Sequence, residues 1–353
     1  MRHALRRGLI LAIAAMMLAM PFLANEASAH SPLFPQGNTN LENAYLITDP
    51  AVSWAVYASL GPGLNGYTQA NYYKLELGAG DRLNMMLLTP TKDYQDGFRA
   101  EMVLMGPGII NSGVLPANVQ MWPLPGYGYH VCAVEVPAQV TYEGFAPSAF
   151  YYLSQFDGNV TLAGTYYVAI TNPEPGGLVG NYGFAPGYKE EVTIPAIVIM
   201  PFSLFQVYQW EGQNFWNIVL PWMTVLVLGF LYLLIIKKEK FAQMSMMNIA
   251  VYVGGLWILG TAAMTITQFF WVVNQTGIVP EVFITMIFLV GQTVLGLVIL
   301  WQAFRVQRPP GMGRRAAIFC LGILGFAVWA GYIVGPVLVM IGALLPWKRK
   351  LGK

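Results

Sequence analysis

Imidazole and thiolate are the side chains best suited to hold a soft metal or to move a proton near neutral pH. This chain carries three histidines and two cysteines in 353 residues. His3 sits in a leader expected to be removed, so any histidine-based site rests on His30 and His130. His30 directly follows Ala27-Ser-Ala29, a small-residue pattern that suits signal peptidase, and cleavage there makes it the first residue of the mature chain. A terminal histidine offers its free α-amine, with an unperturbed pKa of about 8, alongside its imidazole. A second imidazole from His130 completes a T-shaped set of nitrogens that suits copper(II), a tetragonal nitrogen-binding ion. Cys132 shares a strand face with His130, because residues i and i+2 point the same way, and Tyr129 adjoins them. The plainer alternative stays open: the peptidase cares little about the residue after its site, and a histidine at a strand edge is equally at home in an ordinary hydrogen bond.

The arrangement of His30 with His130 resembles the histidine brace of secreted copper proteins, which include copper carriers and copper-dependent monooxygenases. The resemblance implies copper as cofactor, with His30, His130 and Cys132 as candidate ligands, and a role as carrier or as accessory to a metalloenzyme. A copper oxidase is the one enzymatic reading it leaves.

Other chemistry is less specific. Asp81, Asp93, Asp96 and Glu101 could offer hard oxygens to calcium, but they lack Asp-x-Asp-x-Asp-Gly spacing and equally read as a solvated acidic surface. Tyr127-Gly-Tyr129, Tyr151-Tyr152 and Tyr166-Tyr167 could form a platform for a sugar or peptide, with Tyr127 and Tyr129 the candidates for contact. Adjacent strand residues point to opposite faces, so core packing plus ordinary surface explains such doublets as well. Asn159-Val-Thr161 fits the glycosylation pattern. There is no Gly-x-Ser-x-Gly elbow, His-Glu-x-x-His pair or phosphate loop in the sequence. These absences point to binding or assembly rather than catalysis.

The elements that must position these residues divide the chain in two. Residues 30–215 carry 5 Lys/Arg against 14 Asp/Glu, and residues 216–353 carry 11 against 2. Such a split fits an exported acidic part and an anchor that keeps basic loops in the cytoplasm, and the acidic part makes nucleic acid an unsuitable partner. The basic start at 1–7, the apolar run Gly8–Ala24 and the small-residue end read as a signal peptide over 1–29. From 30 to 213, aromatic and β-branched runs alternate with Gly/Pro/Asn/Asp, which predicts an antiparallel β-sandwich. Asn71–Leu77 and Arg82–Leu88 are expected to form a hairpin, with Gly78 and Gly80 supplying positive φ. Further strands are expected at Ala100–Met105, His130–Val136, Gly164–Thr171 and Tyr182–Tyr188, while Tyr142–Phe156 is open to reading as a loop.

Tyr72-Tyr-Lys-Leu-Glu-Leu-Gly-Ala-Gly-Asp-Arg-Leu83, followed by Ala163-Gly-Thr-Tyr-Tyr-Val-Ala-Ile170 and Gly180-Asn-Tyr-Gly-Phe184, resembles the bacterial pre-peptidase C-terminal domain. That resemblance spans about 120 residues and implies a small β-sandwich with a non-catalytic role. The family's Asp-Leu-Tyr strand is replaced here by Ala100-Glu-Met-Val-Leu-Met105.

Beyond residue 214 the chain becomes an all-α membrane region. Helices are expected at 215–236, 247–273 and 282–304, each long enough to span a bilayer, with tryptophans near their ends. The last apolar stretch, 316–347, would make a straight helix of about 48 Å, longer than a hydrocarbon core of about 30 Å. Gly331-Tyr-Ile-Val-Gly335-Pro336 interrupts it, so a helix at 316–334 and a short broken segment at 336–347, returning to the side it left, keep the basic tail 348–353 with the other basic loops. The expected location is the plasma membrane, with the N-terminal domain outside. Lipid and other membrane or envelope proteins are the expected partners.

Overall fold

A computed structural model of the chain describes residues 31–121, 125–135, 140–191, 194–305 and 309–347. The expected signal segment 1–29, the candidate ligand His30 and the tail 348–353 lie outside the described residues.

The first half is built from β1 (Ser31–Leu33), β2 (Tyr45–Ile47), β3 (Trp54–Leu60), β4 (Asn71–Leu77), β5 (Arg82–Pro90), β6 (Glu101–Pro107), β7 (Tyr127–Cys132), β8 (Thr141–Glu143), β9 (Ser148–Asn159), β10 (Gly164–Thr171) and β11 (Gly180–Pro186). One sheet runs β1-β3-β11-β5-β9-β8 and the other β2-β4-β10-β6-β7. Alternate residues of both sheets interdigitate in one core, including Tyr73, Leu75, Leu83, Met85, Leu87, Leu104, Val168, Tyr182 and Phe184. Buried phenols need partners. Here Tyr73 and Tyr182 share a 2.6 Å hydrogen bond, and Asn71 Nδ2 donates to the Tyr182 hydroxyl at 2.8 Å.

Two local expectations are corrected. β4 and β5 do not pair with each other but lie in opposite sheets, so residues 78–81 arch across the sandwich instead of closing a hairpin. The arch is held by the segment before β10: Gly80 N–H donates to the Val160 carbonyl at 2.8 Å, and Val160 N–H donates to that of Asp81 at 3.0 Å. Of the two glycines, Gly80 takes positive φ (87°), while Gly78 N–H is capped by Asp81 Oδ2 at 2.7 Å. The region open to reading as a loop, Tyr142–Phe156, falls on most of β8 and of the 12-residue β9, the longest of these strands, which pairs with β5 through an irregularity at Leu87/Leu88.

The helices are α1 (Thr91–Gln95), α2 (Ile194–Trp210), α3 (Phe215–Leu231, continued by a π turn Tyr232–Ile236), α4 (Lys238–Ala242), α5 (Met246–Thr276), α6 (Val282–Ala303), α7 (Met312–Ala327) and α8 (Val334–Leu344). Phe215–Ile236, α5 and α6 are long and apolar enough to cross a membrane. The sequence reading places no helix between 188 and 213, yet α2 occupies Ile194–Trp210. Its two prolines and β-branched run disguise it, although Pro195 sits in the first turn, where its missing N–H costs nothing.

α5 is the central helix. Its glycines allow close approach: a Cβ on Gly254 would fall 2.7 Å from Val339 Cγ2, and one on Gly260 2.3 Å from Trp222 Cδ1. α7 and α8 pack side by side as a hairpin, with Arg315 Nη1 near the start of α7 donating to the carbonyls of Ala343, in the last turn of α8, and Leu345, just after it, both at 2.7 Å. The broken last segment thus returns to the end of the bundle where it began. At the tip, Trp329, Gly331, Tyr332 and Ile333 all take positive φ, a costly state for a β-branched residue. Gly331 N–H is caught by Thr261 Oγ1 at 2.9 Å and the Val328 carbonyl by Gln292 Nε2 at 3.1 Å.

The β domain locks into this tip through the β8–β9 connection. Tyr142 and Thr285 hydroxyls are 2.8 Å apart, Thr285 donates to the Gly144 carbonyl at 2.6 Å, and the Phe145 ring lies 5.9 Å from Phe288 and 6.1 Å from Trp329.

Two outcomes follow. In a Cys320→Ser background, cysteines at Gly313→Cys and Leu344→Cys should label from the same side of sealed vesicles, and Ile278→Cys from the other; opposite-sided labelling of the first two would replace the hairpin with a full span. Phe145→Ala should cost about 2–3 kcal/mol, read as a lower melting temperature of the purified chain, whereas unchanged melting would show that the connection carries no load.

Candidate functional site

Of the residues singled out by type, the described ones on β7 divide between its two faces, His130 and Cys132 toward one and Tyr127 and Tyr129 toward the other. His130 lies on edge strand β7, pairs with Leu104, and turns its ring to Phe156 at 5.8 Å. Cys132 points into the inter-sheet core. Burial, reinforced by the Glu101 carboxylate, pushes its thiol up to about 12, leaving it a protonated core residue at neutral pH. Tyr127 and Tyr129 alternate with that pair. The Tyr127 hydroxyl donates to the Thr165 carbonyl at 3.1 Å, and Tyr129 packs on the outer cluster of Leu41, Tyr72, Val103 and Val119.

β1, which begins at Ser31, is at one edge of its sheet, and β9, which packs against β7, is four strands away. At strand spacings near 4.8 Å that is roughly 19 Å. Among the described residues no three of His, Cys, Asp and Glu gather as a metal site, and this includes Asp81, Asp93, Asp96 and Glu101. Tyr166 and Tyr167 are both buried, one in each cluster, and Tyr151 stacks on Tyr94 at 4.0 Å.

The concave surface lies instead where α2 crosses the outer face of the β1–β8 sheet. Trp210 Nε1 donates to the Tyr182 carbonyl at 3.0 Å, and Asn181 Nδ2 donates to the Trp210 carbonyl at 2.7 Å. Glu211 follows, accepting from Ala149 N–H at 2.7 Å and from Gln213 Nε2 at 3.0 Å. The Gln213 and Gln268 amides then exchange hydrogen bonds of 2.7 and 2.9 Å, joining the segment to α5. Burial pushes the Glu211 carboxyl up to about 8 against the opposing pull of those two donors.

Two cavities flank α2. One is a cleft of about 570 Å³. Gln36, Gln69, Gln206 and Gln209 are exposed at its mouth, with Asn38, Asn71 and Asn181 deeper and Phe34, Tyr57 and Trp210 as aromatic walls. Among the described residues no Asp, Glu, Lys, Arg or His lines it. Its deeper amides are fixed: Asn38 Nδ2 donates to the Tyr72 carbonyl at 3.1 Å and Asn71 Nδ2 to that of Ser59 at 3.0 Å. The other cavity, about 90 Å³, lies beneath α2 between Ala55, Met86, Leu88, Phe150, Ala185 and Val207. Glu143, the one acid among its described lining residues, accepts from Phe145 N–H at 3.0 Å and is pushed up to about 7 by burial. Tyr57 lines both cavities.

The sequence reading missed these residues because they come from segments far apart in the chain. Gln206, Gln209 and Trp210, spaced to share one helix face at the end of an apolar run, are the signal that could have found the cleft.

The two carboxyls fix a pH dependence. Both are raised above the ordinary 4.5, so the folded chain holds protons that the unfolded chain releases. Stability is therefore full below pH 4.5 and declines as pH rises toward 8, by at most about 1.4 kcal/mol per pH unit for each group. Melting temperature should fall between pH 5 and 8, and less steeply in Glu211→Gln; a rise over that window, or an unchanged slope in the variant, contradicts the assignment.

No protein-family model matches the chain, and no curated protein matches it significantly, so the site rests on its own geometry.

Proposed function

We propose that the chain is a membrane-anchored, extracytoplasmic binding protein without catalytic activity of its own, and that its cleft holds an uncharged, polyhydroxylated ligand of the saccharide class. The observation that carries this reading is the lining of the 570 Å³ cleft by amides and aromatic rings, with no ionised group among the described residues. An amide both donates and accepts, so it matches a hydroxyl, which does the same. Flat aromatic walls pack on apolar ring faces, and a concave site with a few fixed polar groups is the usual form of a small-molecule site. Among the described residues the lining holds no carboxylate, imidazole or amine beside the Thr39 and Ser59 hydroxyls to act as a general base, which supports binding over turnover.

The orientation follows from charge. Lys237, Lys238, Lys240, Arg305, Arg314 and Arg315 lie at the bundle end remote from the β domain, which carries the acidic excess. By the positive-inside bias that end faces the cytoplasm and the cleft faces outward at a plasma membrane. The alternative of a copper carrier built on His30 and His130 gains no support from β1 and β7 lying at opposite edges of the sandwich.

Titration calorimetry of the full chain in amphipol with maltose, cellobiose and N,N′-diacetylchitobiose tests the reading. At least one should bind. The double variant Gln206→Ala/Gln209→Ala should weaken it about tenfold or more, since each lost hydrogen bond is worth about 1 kcal/mol, with melting unchanged because both side chains are exposed. Absence of binding across the series, or binding indifferent to the double variant, overturns it.

A further inference from the structure

The apolar cavity beneath α2 has no part in holding a sugar, yet it is built as carefully as the cleft. α2 walls both, with Ser203, Leu204 and Val207 turned to the apolar cavity and Gln206, Gln209 and Trp210 to the cleft. The two spaces meet at Tyr57, whose ring is stacked on Phe34 (5.6 Å) and met edge-on by Trp210 (5.0 Å). A pair of small residues opens the apolar space: Ala55 on β3 and Ala185 on β11 face it where larger residues would close it. Among the described residues its polar lining is the Glu143 carboxyl, which accepts from Phe145 N–H, and the Tyr57, Tyr152 and Ser203 hydroxyls, while aliphatic and aromatic side chains make up the larger part of the wall.

Its position says where an occupant would come from. Phe145, on its wall, also touches the Phe288 and Trp329 rings of the helical bundle. On the outer side of α2, Phe205 meets Phe215 at 5.3 Å, and Phe215 and Trp216 stand exposed at the start of the first span. The cavity therefore lies at the level where the spans begin, within reach of lipid chains.

We infer that the ligand is an amphiphile, a neutral glycolipid-like molecule whose sugar head occupies the amide-lined cleft and whose aliphatic chain enters the cavity beneath α2. The inference rests on the saccharide reading above and adds the chain. An apolar cavity of about 150 Å³ admits a benzene ring, so the 90 Å³ here takes a short run of methylenes, the remainder of the chain staying in lipid.

The test uses the full chain in amphipol with the three free disaccharides and their n-butyl, n-hexyl and n-octyl glycosides, each below its micelle concentration. Affinity should rise about fourfold per methylene, which is the ~0.8 kcal/mol of a buried CH₂ converted at about 1.4 kcal/mol per tenfold, and then level off once the cavity is full. Ala55→Leu and Ala185→Leu, on separate strands, should each flatten that dependence and leave the free disaccharide's affinity as it was. Free sugar bound with no chain-length dependence overturns the amphiphile while the saccharide reading stands. A dependence that survives in both variants also overturns it, since the chain then lodges elsewhere. Binding of neither sugars nor glycosides overturns both readings.

Discussion

The segment Trp210–Gln213 is hydrogen-bonded from two sides at once, and the geometry of the membrane-proximal half depends on it. Trp210 is tied to β11 through its indole and its carbonyl, Glu211 to β9 through Ala149, and Gln213 to α5 through a reciprocal amide pair. These four residues end α2 and precede α3, so they set how far α2 stands off the sheet. They also fix where the first span begins. Each bond satisfies a group taken out of water, where an unmet donor or acceptor costs about 1–3 kcal/mol. The tether is therefore expensive to break at any single point, and α2 is held as a roof over two cavities instead of collapsing onto the sheet.

A second constraint acts from the other side. The strained tip between α7 and α8 persists because its freed backbone groups are taken up by Thr261 and Gln292 and because Trp329 is packed against Phe288 and Phe145. Non-helical backbone at such depth is tolerated where protein buries it. The β8–β9 connection supplies part of that burial, so the β domain and the hairpin stabilise each other's least regular segments.

Much of this architecture is legible from composition and periodicity. The three long spans and the returning last segment follow from run length and basic residues, and β10 falls at its expected bounds. The β4–β5 arch is not legible, because strands in opposite sheets present the same alternation as a hairpin when both point into one core: Tyr73 and Leu75 face Leu83 and Met85 either way. β9 is hidden by Gly144 and Pro147 before it and by polar residues on its outward face, such as Gln155 and Asp157. α2 is hidden by its prolines. The cleft is legible only in its Gln206-x-x-Gln209-Trp210 edge, since Gln36, Gln69, Asn71 and Asn181 reach it through sheet order, which periodicity does not specify. The histidines show the converse: residue type marks them for chemistry, while strand order places β7 at the edge remote from β1.

The polar residues of the spans bear on what the anchor is for. Thr261 holds the hairpin tip, and Thr265 joins α5 to α6 through Gln292, whose amide also caps the tip. Gln268 holds the tether, Thr285 holds the β8–β9 connection, and Gln302 accepts from Arg314 at the remote end. Thr293 bonds back to its own helix at Leu289. Each of these seven groups is thus bonded to a neighbouring element or to its own backbone, and the inter-element bonds other than that of Gln302 gather toward the seam beneath the β domain. Groups serving a permeant ion would face a shared water-filled path and include ionisable residues, whereas these are neutral and engaged in protein contacts. The helices act as a frame that fixes the height and tilt of α2, and the proposed ligand site lies at the seam above them.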